Sequence, residues 1–180
     1  MPRAFLIPLS LVLAVVSAPA RALAQEVDLA GGYSLLSYGS GCLSDCTIPA
    51  GWFGTLGVKL TPTLDVVADV SGAYKSVGGT GSFSEHAYLF GPRLQWSRST
   101  MPLRVYGQLT LGGVTGKIAA GSVSGSTTLF AVAPGLGVDV RMDDRWAVRG
   151  GVNFRFVKPS GSGNWFQEAQ VIAGLAYTIK

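Results

Sequence analysis

The sequence is poor in charge. Asp, Glu, Lys and Arg make up 13% of its 180 residues, about half of the ~25% that is usual in soluble domains. Apolar residues reach 48%, and the mean hydropathy is +0.37. These values argue against a typical cytosolic protein, and the length suits roughly one domain.

Long apolar runs are also missing. Beyond the N-terminus, no stretch approaches the ~20 uncharged apolar residues that a membrane-spanning helix needs. The N-terminus has a basic residue, an apolar run over Ala4–Val16 and small residues at Ala22–Ala24, which is typical of a cleaved secretory signal peptide. We therefore predict a signal peptide at residues 1–24 and a mature domain at residues 25–180. An uncleaved membrane anchor is the alternative, and the short run interrupted by Pro8 disfavours it.

The excess of positive charge is small. Removal of Arg3 and Arg21 with the signal peptide lowers the net charge from +4 (14 − 10) to +2 (12 − 10). No long basic run is present to bind phosphates, so we expect no nucleic-acid partner.

Cysteine and histidine are nearly absent. The two cysteines, Cys42 and Cys46, lie in the segment GCLSDC, and export to an oxidising compartment predicts that they form a small disulfide. A zinc site is the alternative, but the further Cys or His ligands of a closed site are lacking. The segment GGVTGK ends like a phosphate-binding loop, but Leu111 stands where its first glycine is required. We expect no metal and no other cofactor.

The mature chain alternates polar and apolar residues, as half-buried strands do. We predict eight strands, at Val27–Tyr38, Trp52–Leu60, Leu64–Tyr74, Glu85–Ser97, Leu103–Val114, Thr127–Arg141, Arg145–Val157 and Gln167–Ile179. Their connections alternate between short turns and longer segments rich in Gly and Ser. This pattern predicts an all-β, antiparallel up-and-down barrel with short turns at one end and four longer loops at the other.

Each predicted strand has a polar and an apolar face, because alternate side chains point to opposite sides. In Arg145–Val157, for example, Arg149 and Arg155 share one face while Trp146 and Val152 share the other. Over all strands, the charged residues of the polar face are Asp28, Lys59, Asp65, Asp69, Arg93, Arg104, Asp139, Arg141, Arg149, Arg155 and Glu168. Acids and bases are nearly balanced there, as an enclosed lumen requires, since a buried charge without a partner is costly.

The aromatic residues of the apolar face indicate which face looks outward. They lie near both ends of the strands, at Trp52, Tyr74 and Tyr88 beside the longer loops and at Trp96, Trp146 and Tyr177 beside the short turns. Two aromatic girdles around an apolar band are typical of a membrane barrel. The alternative is a soluble secreted lipocalin-like barrel, whose apolar face would turn inward around a small apolar ligand.

The mature chain resembles the small outer-membrane β-barrel domain of Gram-negative bacteria, from VDLAGGYSLLSYG through FAVAPGLGVDVRMDDRWAVRGGVNFRF to QVIAGLAYTIK. The resemblance implies an integral protein of the cell outer membrane with periplasmic termini and extracellular loops, in contact with outer-membrane lipid and lipopolysaccharide. It also implies that insertion machinery reads the last strand, commonly at a terminal aromatic residue. Because this chain ends in YTIK, with Lys180 as the last residue, we expect a weaker or shifted insertion signal.

A barrel of eight strands has room only for its own side chains. We therefore expect a plugged lumen and not an open porin channel. We also expect a monomer with a structural or surface-interaction role through its extracellular loops. No sequence motif identifies a ligand of these loops. A lipid A-modifying enzyme is the alternative, because some small outer-membrane barrels carry a lipid-facing Ser and His pair. Ser84 and His86 are the candidates here, but Glu85 points to the other face, so no orienting carboxylate accompanies them. We expect no enzymatic activity.

Overall fold

The computed structural model describes residues 26–39, 47–77, 81–97, 102–120, 123–159 and 164–180. In these segments, eight antiparallel strands close into one barrel in sequence order, with the last strand pairing with the first. The strands are β1 (Val27–Tyr38), β2 (Thr47–Lys59), β3 (Leu64–Val77), β4 (Gly81–Ser97), β5 (Leu103–Ala120), β6 (Val123–Arg141), β7 (Trp146–Lys158) and β8 (Phe166–Ile179). The same segments contain no helix that is long and apolar enough to cross a membrane. The predicted eight-stranded antiparallel barrel is confirmed.

Several strands extend beyond their predicted ends. The pairing of β5 with β6 continues as far as Ala120 and Val123, so their connection spans only residues 121–122, and β3 and β4 pair up to Val77 and Gly81. Strand pairing therefore takes up most of two of the four predicted longer loops. The sequence pattern ends these strands too early because their Gly- and Ser-rich tips lack a clear alternation of polar and apolar residues, whereas backbone pairing does not require one. We call this end of the barrel the loop end and the opposite end the turn end.

The apolar face of the wall looks outward. Leu136 on β6 is 67% exposed, and its Cα partner on β7 is Val152. On the inward face, Asp139 of β6 is 0% exposed and Arg149 of β7 is 1% exposed. The wall therefore has the polarity of a barrel that sits in lipid, and the lipocalin-like alternative is excluded.

A pair of glycines lets the first and last strands approach. Gly32 on β1 is the Cα partner of Gly174 on β8. A Cβ atom on Gly174 would overlap the carbonyl oxygen of Gly31, and one on Gly32 would overlap that of Ala173. Close backbone approach of this kind requires glycine in a strand, so these residues permit closure of the barrel.

Candidate functional site

The lumen near the turn end is crossed by an ion-pair cluster that joins strands from different sides of the barrel. Arg149 on β7 donates to Asp139 on β6 (Nε–Oδ1 2.7 Å) and to Asp28 on β1 (Nη2–Oδ1 2.7 Å). Arg104 on β5 lies 2.8 Å from Asp139 and 3.2 Å from Asp28. Each carboxylate is therefore held by two guanidinium groups, which is the kind of pairing that makes buried charge tolerable.

A tyrosine ring lies between two of the lumen arginines. Tyr106 on β5 is 2% exposed, and the guanidinium carbons of Arg93 and Arg149 lie 4.6 Å and 5.2 Å from its ring centroid. Arg93 also donates to Oε1 of Gln108, from Nε at 3.0 Å and from Nη2 at 2.8 Å. Cation–π contacts strengthen when the groups are removed from water, so Tyr106 contributes to holding both arginines in the centre of the barrel.

The middle of the lumen is filled by a layer of hydrogen-bonded polar side chains. Gln108 donates to Asp69 at 2.8 Å and to Asn153 at 3.2 Å. Thr55 donates to the other oxygen of Asp69 at 2.7 Å, and Asn153 donates to Gln170 at 3.3 Å. The void among these side chains measures about 20 Å³, little more than the ~10–15 Å³ that one water needs.

A second ion-pair cluster lies at the loop end. Arg155 on β7 sits between two carboxylates, with Nη1 at 3.0 Å from Oε1 of Glu85 and Nε at 3.5 Å from Oε2 of Glu168. Tyr38 on β1 donates to the other oxygen of Glu85 at 2.8 Å. Arg155, Glu85 and Glu168 are each 5% exposed or less. This cluster lies in the lumen at the end opposite to the Arg149 cluster.

Two cavities flank the filled part of the lumen. The loop-end cavity measures about 370 Å³, and its walls include Phe83, Leu129 and Phe166 with Glu85 and Glu168. The turn-end cavity measures about 230 Å³ and is lined mainly by polar and charged side chains. The loop-end cavity is therefore the one whose lining is mainly apolar, with two carboxylates beside it.

The structure places most of the predicted lumen residues inside the barrel. Nine of them face the lumen: Asp28, Asp65, Asp69, Arg93, Arg104, Asp139, Arg149, Arg155 and Glu168. Lys59 lies at the turn-end rim, where its Nζ is 2.5 Å from Oε2 of Glu26.

Arg141 and Glu85 lie at opposite ends of the lumen. Arg141 is exposed at the turn-end rim, where β6 ends, and it lines the turn-end cavity together with Arg104. Glu85 is a lumen residue missing from the predicted set, since it is buried and paired with Arg155. Its alternation with Ala87 and Leu89 signals the inward face, but the predicted strand starts at Glu85, so its place in the lumen depends on the strand beginning earlier, at Gly81.

The predicted girdle residues all lie on the outward face. Trp52, Tyr74, Tyr88, Trp96 and Trp146 are 42–58% exposed, and Tyr177 is half-buried against Trp146 with ring centroids 4.8 Å apart. Further outward aromatics are Tyr33, Phe90, Phe130, Phe154 and Trp165. Tyr88 lies closer to mid-wall than predicted, since β4 begins at Gly81 and Tyr88 pairs with Val70 in the middle of β3.

In the candidate catalytic pair, the imidazole of His86 is engaged by a tyrosine. Nε2 of His86 lies 3.1 Å from the hydroxyl of Tyr74, which also accepts from Nε1 of Trp52 at 3.3 Å. Glu85 faces the lumen and is engaged by Arg155 and Tyr38, so it does not orient the imidazole. His86 thus belongs to a row of hydrogen-bonded side chains on the outward face at the loop end, formed with Tyr74 and Trp52.

Two other predictions concern residues outside the described part of the chain. The disulfide between Cys42 and Cys46 and the signal peptide at residues 1–24 both fall there, so each stays a prediction. Within the described segments, no group of three or more His, Cys, Asp or Glu side chains is placed to hold a metal ion.

Comparison with known proteins agrees with this inside-out barrel. The family model for the outer membrane protein beta-barrel domain matches residues 9–178, and no curated protein matches the chain. Neisserial surface protein A is 11% identical, with a TM-score of 0.68 over 87% of this chain and 97% of that one. Ail of Yersinia pestis, solved in complex with the heparin analogue sucrose octasulfate, is 15% identical, with a TM-score of 0.63 over 86% and 99%. OprG from Pseudomonas aeruginosa is 12% identical, with a TM-score of 0.63 over 87% and 96%. The chain belongs to the outer membrane protein β-barrel domain family and is a protein of the cell outer membrane.

Proposed function

We propose that this barrel is closed to ions and solutes and acts as a structural or surface-interaction protein through its extracellular end. The main support is the filled lumen, in which Arg149 on β7 and Arg104 on β5 each contact both Asp28 and Asp139. An eight-stranded barrel is just wide enough for side chains to fill its interior. A conducting pore would need these buried ion pairs to separate, which leaves charges without partners and is costly.

A closed lumen leaves the two ends and the outer wall as the surfaces that can meet partners. The outward wall contacts outer-membrane lipid and lipopolysaccharide, with aromatic side chains such as Trp52 and Trp146 near the interfaces. The loop end carries the larger of the two described cavities that flank the plug. The complex of Ail with a heparin analogue concerns that protein, but it supports the idea that a barrel of this fold can hold a ligand.

An enzymatic role is the second candidate and receives less support. A serine nucleophile needs a base within hydrogen-bond reach and a group that orients the base. The imidazole of His86 is engaged by Tyr74 at 3.1 Å, and the neighbouring acid, Glu85, faces the lumen. We therefore propose that the protein has no lipid-modifying activity. We further propose that it is a monomer and that the insertion machinery recognises it through β8.

Conductance across planar bilayers tests the proposal. We expect no large, steady conductance from the mature protein, with a known porin in the same bilayers as the positive control. The variant Arg145→Ala should be equally non-conducting, because Arg145 is exposed at the turn end and its removal leaves the lumen filled. A robust open channel in the wild-type protein would show that the lumen is not plugged.

A further inference from the structure

The loop-end cavity combines apolar walls with an acidic floor. Phe83 on β4, Leu129 on β6 and Phe166 on β8 contribute to the walls, and the carboxylates of Glu85 and Glu168 line the same cavity. Its volume of about 370 Å³ falls at the small end of the ~300–1,000 Å³ range of ligand pockets. Apolar walls with a few convergent polar groups are the usual make-up of such pockets.

Glu168 has fewer hydrogen-bond donors around it than Glu85. Oε1 of Glu85 lies 3.0 Å from Nη1 of Arg155, and Oε2 of Glu85 accepts from the hydroxyl of Tyr38 at 2.8 Å. Glu168 is 4% exposed, and its Oε2 lies 3.5 Å from Nε of Arg155 but accepts no hydrogen bond from any described residue. An ionised carboxylate offers about four acceptor sites, and a buried one left short of donors is costly. A ligand that donates to Glu168 would remove part of that cost.

The charges around the cavity favour a cation. The carboxylates of Glu85 and Glu168 line it. Arg155, which pairs with them, does not line the cavity, and neither does Lys75 on β3. An anionic ligand would meet the carboxylates first and be repelled. A ligand with a protonated amine would instead form a charge-assisted hydrogen bond, roughly twice as strong as a neutral one.

We infer that the loop-end cavity binds a small organic amine, whose ammonium group donates to Glu168 while its apolar body packs against Phe83, Leu129 and Phe166. The two features are independent, since the apolar walls select for a hydrophobic body and the carboxylates select for charge. The inference rests on the proposed function in one respect, namely that the lumen below the cavity is closed. An open lumen would let the ligand pass rather than hold it.

Binding of 2-phenylethylamine to the mature barrel in lipid nanodiscs tests this inference, with 3-phenylpropionate as a ligand of similar body and opposite charge. We expect saturable binding of the amine, measured by calorimetry, and none of the acid at the same concentrations. Glu168→Gln should weaken amine binding at least about tenfold, because it removes the charge and keeps the shape. Glu26→Gln, at the opposite end of the barrel, is the matched control and should leave binding unchanged.

Amide NMR shifts of the wild-type protein provide a second readout in case Glu168→Gln does not fold. On addition of the amine, shifts should concentrate at residues of the loop-end cavity and leave the turn end unchanged. Equal binding of the acid, unchanged binding by folded Glu168→Gln, or amide shifts scattered over the barrel would overturn the inference. Failure to bind the amine by a protein that does not conduct overturns this inference alone, whereas conduction contradicts the closed lumen itself.

Discussion

Arg149 and Asp28 lie 121 residues apart in sequence, yet Nη2 of the arginine is 2.7 Å from Oδ1 of the aspartate. The bond runs inside the barrel from β7 past β8 to β1, and Arg104 on β5, the strand opposite β1, lies 3.2 Å from the same aspartate. Backbone hydrogen bonds hold each strand only to its two neighbours, so these contacts link strands that share no backbone pairing.

Removal of Arg149 should destabilise the barrel strongly. Arg149→Ala leaves the buried carboxylates of Asp28 and Asp139 with fewer partners, and breaking a buried pair in this way costs about 3–5 kcal/mol. Urea unfolding in lipid vesicles, followed by tryptophan fluorescence, measures the free energy of unfolding. Arg145→Ala is the control and should change it by no more than about 0.5 kcal/mol, as is usual at exposed sites. Equal effects of the two variants would mean that the cluster does not contribute to stability.

A charge on the outward wall should lower the free energy of unfolding strongly only near the middle of the bilayer. Leu136 is 67% exposed and pairs with Val152, the midpoint of β7, so Leu136→Arg should lower the free energy of unfolding by about 2–4 kcal/mol. Leu60, 53% exposed just after β2 at the turn end, lies near the interface. Leu60→Arg should cost only about 0–1 kcal/mol. The same unfolding assay in vesicles compares them, and a similar cost at both sites would contradict the assigned position of the bilayer.

Closure of the barrel should depend on Gly174. A Cβ atom there would overlap the carbonyl oxygen of Gly31, so Gly174→Ala should cost about 1–3 kcal/mol, as overpacking does, and should slow folding into vesicles. Gly150 on β7 is the matched control, because a Cβ atom there would meet its nearest neighbour, the carbonyl oxygen of Ile172, at 4.0 Å. The mobility of unboiled samples on gels reports the folded fraction with time. Normal folding of Gly174→Ala would show that the β1–β8 pair tolerates a wider spacing.

The turn between β6 and β7 should respond to acid through Asp143. Its carboxylate accepts hydrogen bonds from the backbone N–H groups of Arg145 and Trp146, both at 2.7 Å, and these bonds lower the pKa of Asp143. A lowered pKa in the folded state means that the contribution to stability is present above the ordinary value of ~3.9 and is lost as pH falls through the lowered pKa. NMR titration of the carboxyl carbon and of the Trp146 amide should show one shared transition below that value. Asp144→Asn should leave this transition in place and Asp143→Asn should abolish it.

The two cysteines should be oxidised in the exported protein. Mass spectrometry of unreduced mature protein should find no free thiol at Cys42 or Cys46. Replacing both by serine should cost about 2 kcal/mol or less, because the disulfide closes a very short loop. Free thiols in protein recovered from the outer membrane would reject the pairing.

The amino-acid sequence by itself determined the strand count, the antiparallel order and the inward or outward direction of side chains within most strands. Side-chain direction in a strand has a period of two, so a local pattern such as WAVRGGVNFRFV is enough to separate Arg149 from Val148. The placement of charges on one face and aromatics on the other then indicated which face meets lipid. These properties depend on neighbours in sequence, and they were confirmed.

Only the tertiary structure decided which inward residues meet one another and where strands end. The pairing of Arg149 with Asp28, or of Arg155 with Glu85, depends on barrel curvature and on the register of strands that are far apart in sequence. No local period encodes those distances. The extension of β5 and β6 to residues 120 and 123 could not be predicted from the sequence either, because backbone pairing beyond the membrane requires no hydrophobic pattern. The loop-end cavity follows from both, since its walls come from separate strands and its floor from an ion-pair cluster that only closure of the barrel brings together.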